Sequence, residues 1–462
     1  MQPTSRVEER ARTPYRHLFA HDPNALLPAG ERTTQALRTL ADSLAESRAE
    51  STSPCESSAD IPAGMTYLGR FIDHDVHCPS CDSGFERSEA RSVIGGGTRG
   101  DSLPVGGGLG IDLPDKEVRN ERRGALELES IYGRGPKGSP ELYENPPAAW
   151  GSDPRLEGAL LRVGRNAPSA VPDHIMEETR ERDLPREDGR AILADQRNAA
   201  ELLVAQTHLA LLRFHNAVAR RLAIERYPGS VFEAARTMVR QHFQWIVLHE
   251  YLPAVCRADV LHEVRQSRAL YPDDEARFIP LEFASLCLHG ARATYNYNSV
   301  HPSVDVLTAP LHAPLPQSWI VDWRRFHDFE HEGTNRAATL RPRANAIGRG
   351  LITGQAIAER LGHAPLTPCE LRANASTNER DALEAGGFLE RTPLAYFVLK
   401  EAEVREGGRT LGRVGSTLVA ESLIALLLRA EDSILREPAW KPTLGSGNDF
   451  RMRDMLQLAG VA

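Results

Sequence analysis

Apolar residues recur at helical spacing along much of this chain, and that spacing predicts its elements. Tyr67, Leu68, Phe71 and Ile72 share one helical face, so a short buried helix is expected in the segment that ends in Asp73-His74-Asp75. From Ala194 to Leu222, the residues Leu202, Leu203, Ala205, Leu209, Leu212, Phe214 and Val218 form a stripe too broad for a surface helix, which predicts a central one. A second long helix, Phe232 to Leu252, should stop at Pro253, and Gly354 to Leu361 and Ser416 to Leu428 read as two more. Strand signals are short and few, and no internal repeat is present. The expected fold class is mainly α: a single large helical domain over residues 31–462, with long irregular loops, preceded by a polar, loosely ordered N-terminal arm over residues 1–30. The Gly-rich stretches at 95–101 and 106–110 read as surface loops, since no Gly-Lys-Ser/Thr follows and no strand leads in.

Composition narrows the function classes. An apolar fraction of 41% over 462 residues supports a sizeable core, and a net charge of −8 with pI near 6.1 argues against a nucleic-acid partner. The longest apolar run, Leu423 to Leu428, is far too short for a membrane span. Six scattered cysteines do not form a disulfide framework, and the N-terminus lacks an apolar signal core. A cytoplasmic location is expected, with export without a cleaved signal left open.

Candidate chemistry concentrates at Asp73-His74-Asp75. A buried histidine between two acids is either a general base whose carboxylate neighbours are committed elsewhere, or a satisfied core histidine. Three further blocks stand out: Asp195-Gln-Arg-Asn198 leading into Val204–Asn216, His242–Pro253, and Thr392–Val404. Together with Thr66–Asp75, and in the same order, these resemble the animal-type haem peroxidase superfamily, in its bacterial branch, over about residue 30 to the C-terminus.

That resemblance implies a haem b cofactor, hydrogen peroxide as one substrate and a small organic or halide donor as the other. It assigns His74 as the distal proton shuttle and Arg197 as the distal cation, a role suited to a guanidinium that stays charged at any working pH; the residues alone also allow Arg197 to be a helix-start arginine paired with Asp195. On the proximal side, Leu281-Glu-Phe283 and Arg292–Asn298 match the family's flanks, and His289 is the only histidine between them. The window is shorter than usual by about one helical turn and places His289 about one residue out of register; Cys287 and His301 are the next candidates. Asn345 matches the asparagine that bonds the proximal ring. Asp73 matches an acid that can form an ester to haem, whereas Ala200 stands at the second such position, with Glu201 next to it. Arg70 replaces the family's usual glutamine, either as a cation that depresses the His74 pKa or as a partner of Asp73. Asp75 matches a calcium ligand and Leu126–Gly133 the calcium loop, with Glu127 and Glu129 standing as possible ligands where the family prefers aspartate or serine.

Remaining motifs read more simply. Cys78-Pro-Ser-Cys81 is a lone CxxC, read as two ordinary thiols, and His208 and His215 read as packed core histidines. Two rivals share the fold: a fatty-acid dioxygenase or cyclooxygenase-like enzyme, disfavoured because Ser285–Leu288 contains no tyrosine, and a haem-binding or haem-free scaffold without turnover.

Overall fold

A computed structural model of the chain describes residues 13–18, 25–28, 30–50, 58–81, 118–144, 153–167, 181–271, 278–286, 313–329, 336–340, 342, 352–445 and 447–462. The fold is mainly helical, as expected. Helices α1 (Glu31–Glu50), α2 (Gly64–Val76), α3 (Leu202–Ile224), α4 (Val231–Ile246), α5 (Leu281–Leu286), α6 (Leu394–Glu406), α7 (Arg413–Arg429) and α8 (Met452–Leu458) supply most of the core. Strands are two to five residues long. In chain order they are β1 (Thr13–Arg16), β2 (Ser58–Pro62), β3 (Pro79–Cys81), β4 (Val118–Asn120), β5 (Arg186–Glu187), β6 (Arg190–Ala191), β7 (Ile279–Pro280) and β8 (Arg336–Ala338). One sheet runs β3-β4-β1-β7, and β2-β8 and β5-β6 form separate pairs. The N-terminal arm is therefore ordered over β1, where Thr13 faces Asn120 and Tyr15 faces Ile279.

α2 is buried on every side except at Arg70. Phe71 anchors it, edge-on to Phe243 of α4 at 5.9 Å and to His208 of α3 at 6.1 Å between ring centroids. Gly69 is required by proximity: a Cβ there would lie 2.5 Å from the Tyr251 hydroxyl. α3 is buried over most of its circumference, as its broad apolar stripe predicts, and Phe214 stacks on Phe450 at 5.6 Å.

Two helix boundaries differ from the sequence expectation. α3 starts at Leu202 rather than near Ala194, because Asp195 caps a separate 3-10 turn, Gln196–Ala199, and Glu201 is extended with φ −124°. Pro253 does not stop its helix. The five residues Val247–Tyr251 widen into a π turn, and the chain continues helical from Leu252 to Val255. A wider turn changes the register of the amide ladder just where proline supplies no N–H.

Candidate active site

The last turn of α2 sends Asp73, His74 and Asp75 into three different environments, all buried. His74 Nδ1 lies 2.8 Å from the Asn198 Oδ1. An amide oxygen can only accept, so the ring carries its proton on Nδ1 and its basic lone pair on Nε2. Burial, and then the Arg197 charge, push the His74 pKa down to about 3. The ring is therefore a neutral base throughout the physiological range.

Arg197 is held by its own turn. Asp195 caps that turn by accepting from the Arg197 backbone N–H at 3.0 Å, and its carboxylate also takes Nε at 3.0 Å and Nη2 at 2.7 Å. Nη2 donates as well to the carbonyls of His74 at 2.9 Å and His77 at 2.7 Å. The guanidinium thus caps the C-terminus of α2, where a cation also suits the helix dipole. Nη1 is buried with no hydrogen-bond partner among the described residues. Asp195 takes a second cation, Arg122 Nη2, at 2.5 Å. Burial alone would raise the Asp195 pKa, but the two guanidinium groups outweigh it and hold the carboxyl well below the usual range. Burial would likewise lower that of Arg197, and Asp195 reverses it.

The two expectations for Arg70 are a cation that depresses the His74 pKa and a partner of Asp73. Arg70 pairs with Glu201, in the extended residue before α3. Asp73 instead accepts from His77 Nε2 at 2.7 Å, four residues on. The His74 pKa is set by burial, Arg197, Asp195, Asp73 and Asn198, so the expected effect of Arg70 on it is not among the main causes. The reason is geometric: Glu201, remote in sequence, draws the Arg70 side chain across to the α3 entrance.

Asp75 fastens the following loop to α2. Its carboxylate accepts from the backbone of Leu128 at 2.9 Å and of Ser130 at 2.9 Å, and from Ser130 Oγ at 2.7 Å. Glu127 accepts from the Glu431 N–H at 2.7 Å, and Glu129 from the Arg123 N–H at 2.9 Å. The Arg123 side chain approaches both glutamates, at 3.6 and 3.7 Å. Among the described residues no group of three or more His, Cys, Asp or Glu side chains is placed to hold a metal ion, so the three proposed calcium ligands do not form a ready-made site.

His289, Cys287, His301, Asn345, Arg292–Asn298 and the two Gly-rich loops lie outside the described residues. Cys78 is a free thiol, and burial raises its pKa, which disfavours the reactive thiolate. Sequence reasoning missed Asn198, Glu201 and His77 as members of this cluster, and it read His208 as packing alone. His208 Nδ1 lies 3.0 Å from the Asn198 Nδ2. The His77 contact was accessible from its i,i+4 spacing to Asp73; the others join segments that no local pattern connects.

Residues 120–305, which include Arg197, Asn198 and His208 but not α2, match the sequence family described as animal haem peroxidase. That match covers less than half of the chain, so it is a likeness of this segment. Among solved structures it resembles peroxidase A from Dictyostelium discoideum, with 13% identity, a TM-score of 0.50, and coverage of 96% of this chain and 95% of that one. At that identity the likeness is one of fold. The fatty acid alpha-dioxygenase of Oryza sativa is also similar, at 10% identity and a TM-score of 0.44, covering 94% of this chain and 78% of that one. No curated protein sequence matches significantly.

The distal half of a haem pocket needs a neutral base and a fixed cation. His74 and Arg197 fit that requirement, and the unpartnered buried Nη1 is a donor that a bound oxygen or anion would satisfy. Among the described residues, no helix is long and apolar enough to cross a membrane.

The same burial makes stability pH-dependent. Burial pushes His74, His208 and His327 down to about 3, and His215, His242 and His249 down to about 4. Each folded value lies below the unfolded 6.5, so this stability is full above pH 6.5 and is lost as pH falls toward 4 and 3. Asp75, raised by burial to about 6, and Glu250 and Glu401, each raised to about 7, act oppositely and are relieved as pH falls. Burial raises Glu144, Glu421 and Asp432 as well and lowers His363, so seven histidines oppose six acids, and the histidines leave a net loss. The urea midpoint is therefore expected to fall steadily between pH 6.5 and 4; a midpoint that rises over this interval would contradict the burial of these rings.

Proposed function

We propose that the protein is a haem-dependent peroxidase that reduces hydrogen peroxide and oxidises a small organic or halide donor. The observation that carries this reading is the forced tautomer of His74, a buried neutral ring whose Nδ1 proton is committed to Asn198 and whose lone pair is on Nε2. When bound, haem supplies the redox-active iron for O–O cleavage. His74 Nε2 takes the proton of the entering hydrogen peroxide and returns it to the oxygen that leaves as water. Arg197 supplies a fixed positive charge beside that base and, through Asp195, cannot swing away from it. Glu201 offsets the charge of Arg70, which favours a positioning role for Arg70 over an electrostatic one at His74.

The proximal assignment, with His289 as iron ligand and Asn345 bonding its ring, rests on the sequence resemblance. So does a calcium ion near Asp75, Glu127 and Glu129. An ester from Asp73 to haem would be made through Oδ2, with Oδ1 still accepting from His77 Nε2. The test is the visible spectrum of the purified protein after haem addition, followed by peroxide-dependent oxidation of an organic dye and of halides. A Soret band with turnover is expected. A protein that takes up no haem supports the scaffold reading, and haem uptake with oxygen-dependent oxidation of a fatty acid supports the dioxygenase.

A further inference from the structure

Asn198 is completely buried, and each end of its amide meets an imidazole. Oδ1 lies 2.8 Å from His74 Nδ1, and Nδ2 lies 3.0 Å from His208 Nδ1. The two contacts have opposite requirements. The oxygen can only accept, so His74 must be protonated on Nδ1; the NH2 can only donate, so His208 must offer a lone pair at Nδ1 and carry its proton on Nε2. Three elements hold the set together: His74 comes from α2, Asn198 from the 3-10 turn, and His208 from α3. Phe71 of α2 packs edge-on against the His208 ring at 6.1 Å.

This arrangement has one productive orientation. Rotating the amide by half a turn would put the NH2 against His74 Nδ1. His74 would then need its proton on Nε2, and its basic lone pair would be lost to the amide. The His208 lone pair opposes that rotation, because the flipped amide would present its oxygen to an unprotonated nitrogen. We propose that Asn198 and His208 are positioning residues, a hydrogen-bonded relay that locks His74 in the tautomer able to act as a base at Nε2. Neither residue needs to touch the substrate. The inference rests on His74 being the catalytic base for its consequence in turnover, but not for the tautomer itself. The charged groups acting on the two rings are Arg197, Asp195 and Asp73 at His74, and Asp195 at His208. Asn198 bonds both relay nitrogens, so the direction of its amide sets their proton positions.

The experiment is long-range proton–nitrogen NMR of the full-length protein labelled in its histidine rings, with His74 and His208 signals assigned from His74→Gln and His208→Phe. Wild type is expected to show His74 as the Nδ1–H tautomer and His208 as the Nε2–H tautomer. Asn198→Leu and His208→Phe should move His74 toward the Nε2–H form that neutral histidine prefers in water. In both, peroxide turnover should fall by ~10- to 100-fold, the range seen when the partner that orients a functional histidine is removed, with the donor KM unchanged. Asn198→Asp still accepts from His74 and should preserve its tautomer and most of the rate. If Asn198→Leu does not fold, the wild-type spectrum and His208→Phe carry the test. A wild-type His74 in the Nε2–H form overturns the proposal, and so does an unmoved tautomer in His208→Phe. A confirmed tautomer in a protein without peroxidase turnover would leave the relay standing and remove the peroxidase reading.

Discussion

His74→Ala is expected to slow peroxide cleavage by ~100-fold or more while leaving haem uptake intact, because a positioned proton shuttle contributes about that much. The neighbouring charged groups have other tasks. Arg197 is a permanent cation, Asp73 is bonded to His77, and Asp75 is bonded to the backbone of Leu128 and Ser130. The measurement is single-turnover mixing of the haem-loaded variant with hydrogen peroxide, which isolates cleavage from donor oxidation. Because burial and Arg197 keep the His74 pKa at about 3, wild-type cleavage should show no acidic limb near pH 6.5. A wild-type rate in His74→Ala would sink the assignment. So would a rate in the native enzyme that halves near pH 6.5, since the ring would then be titrating like one in water.

Much of this arrangement was legible before any coordinates. α2 was visible because its apolar residues recur at helical spacing and it is buried nearly all round; α3 was visible because its stripe exceeds what a surface helix needs. The boundaries were less legible where a local event overrode the pattern, as with the Asp195 cap before α3 and the π turn before Pro253. The site divides the same way. His74 and Arg197 carry recognisable sequence surroundings, and the fold does bring them together. Spacing puts Arg70 on the same face as Asp73 and His74, whereas only tertiary packing brings Glu201 to it from 131 positions off. Asn198 and His208 were not legible as a relay because their contact crosses from a 3-10 turn into a helix with a different rise per residue. Hydrogen-bond direction, which gives them meaning, is a property of geometry and has no signature in residue order.

The second large effect is on stability. Arg197→Ala should cost on the order of 3 kcal/mol, the lower end for breaking a buried ion pair, because Asp195 keeps Arg122 as a partner. Three groups lose donors at once: the Asp195 carboxylate and the carbonyls of His74 and His77 at the end of α2. The loss should appear as a lower urea midpoint in the haem-free protein, where catalysis plays no part. Arg197→Lys should recover only a fraction, since one ammonium cannot reach Asp195 and both carbonyls with the geometry of a planar fork. Asp195→Asn should also be destabilising, as it leaves Arg122 and Arg197 facing each other without a counter-charge. If Arg197→Ala instead keeps the wild-type midpoint but loses peroxide cleavage, the guanidinium is a catalytic group and its cap on α2 is incidental. If both midpoint and turnover fall, only the cleavage rate per bound haem in the surviving folded fraction separates the two roles. The geometry favours that combined outcome: the charge that polarises the site is the same charge that fastens the helix carrying its base.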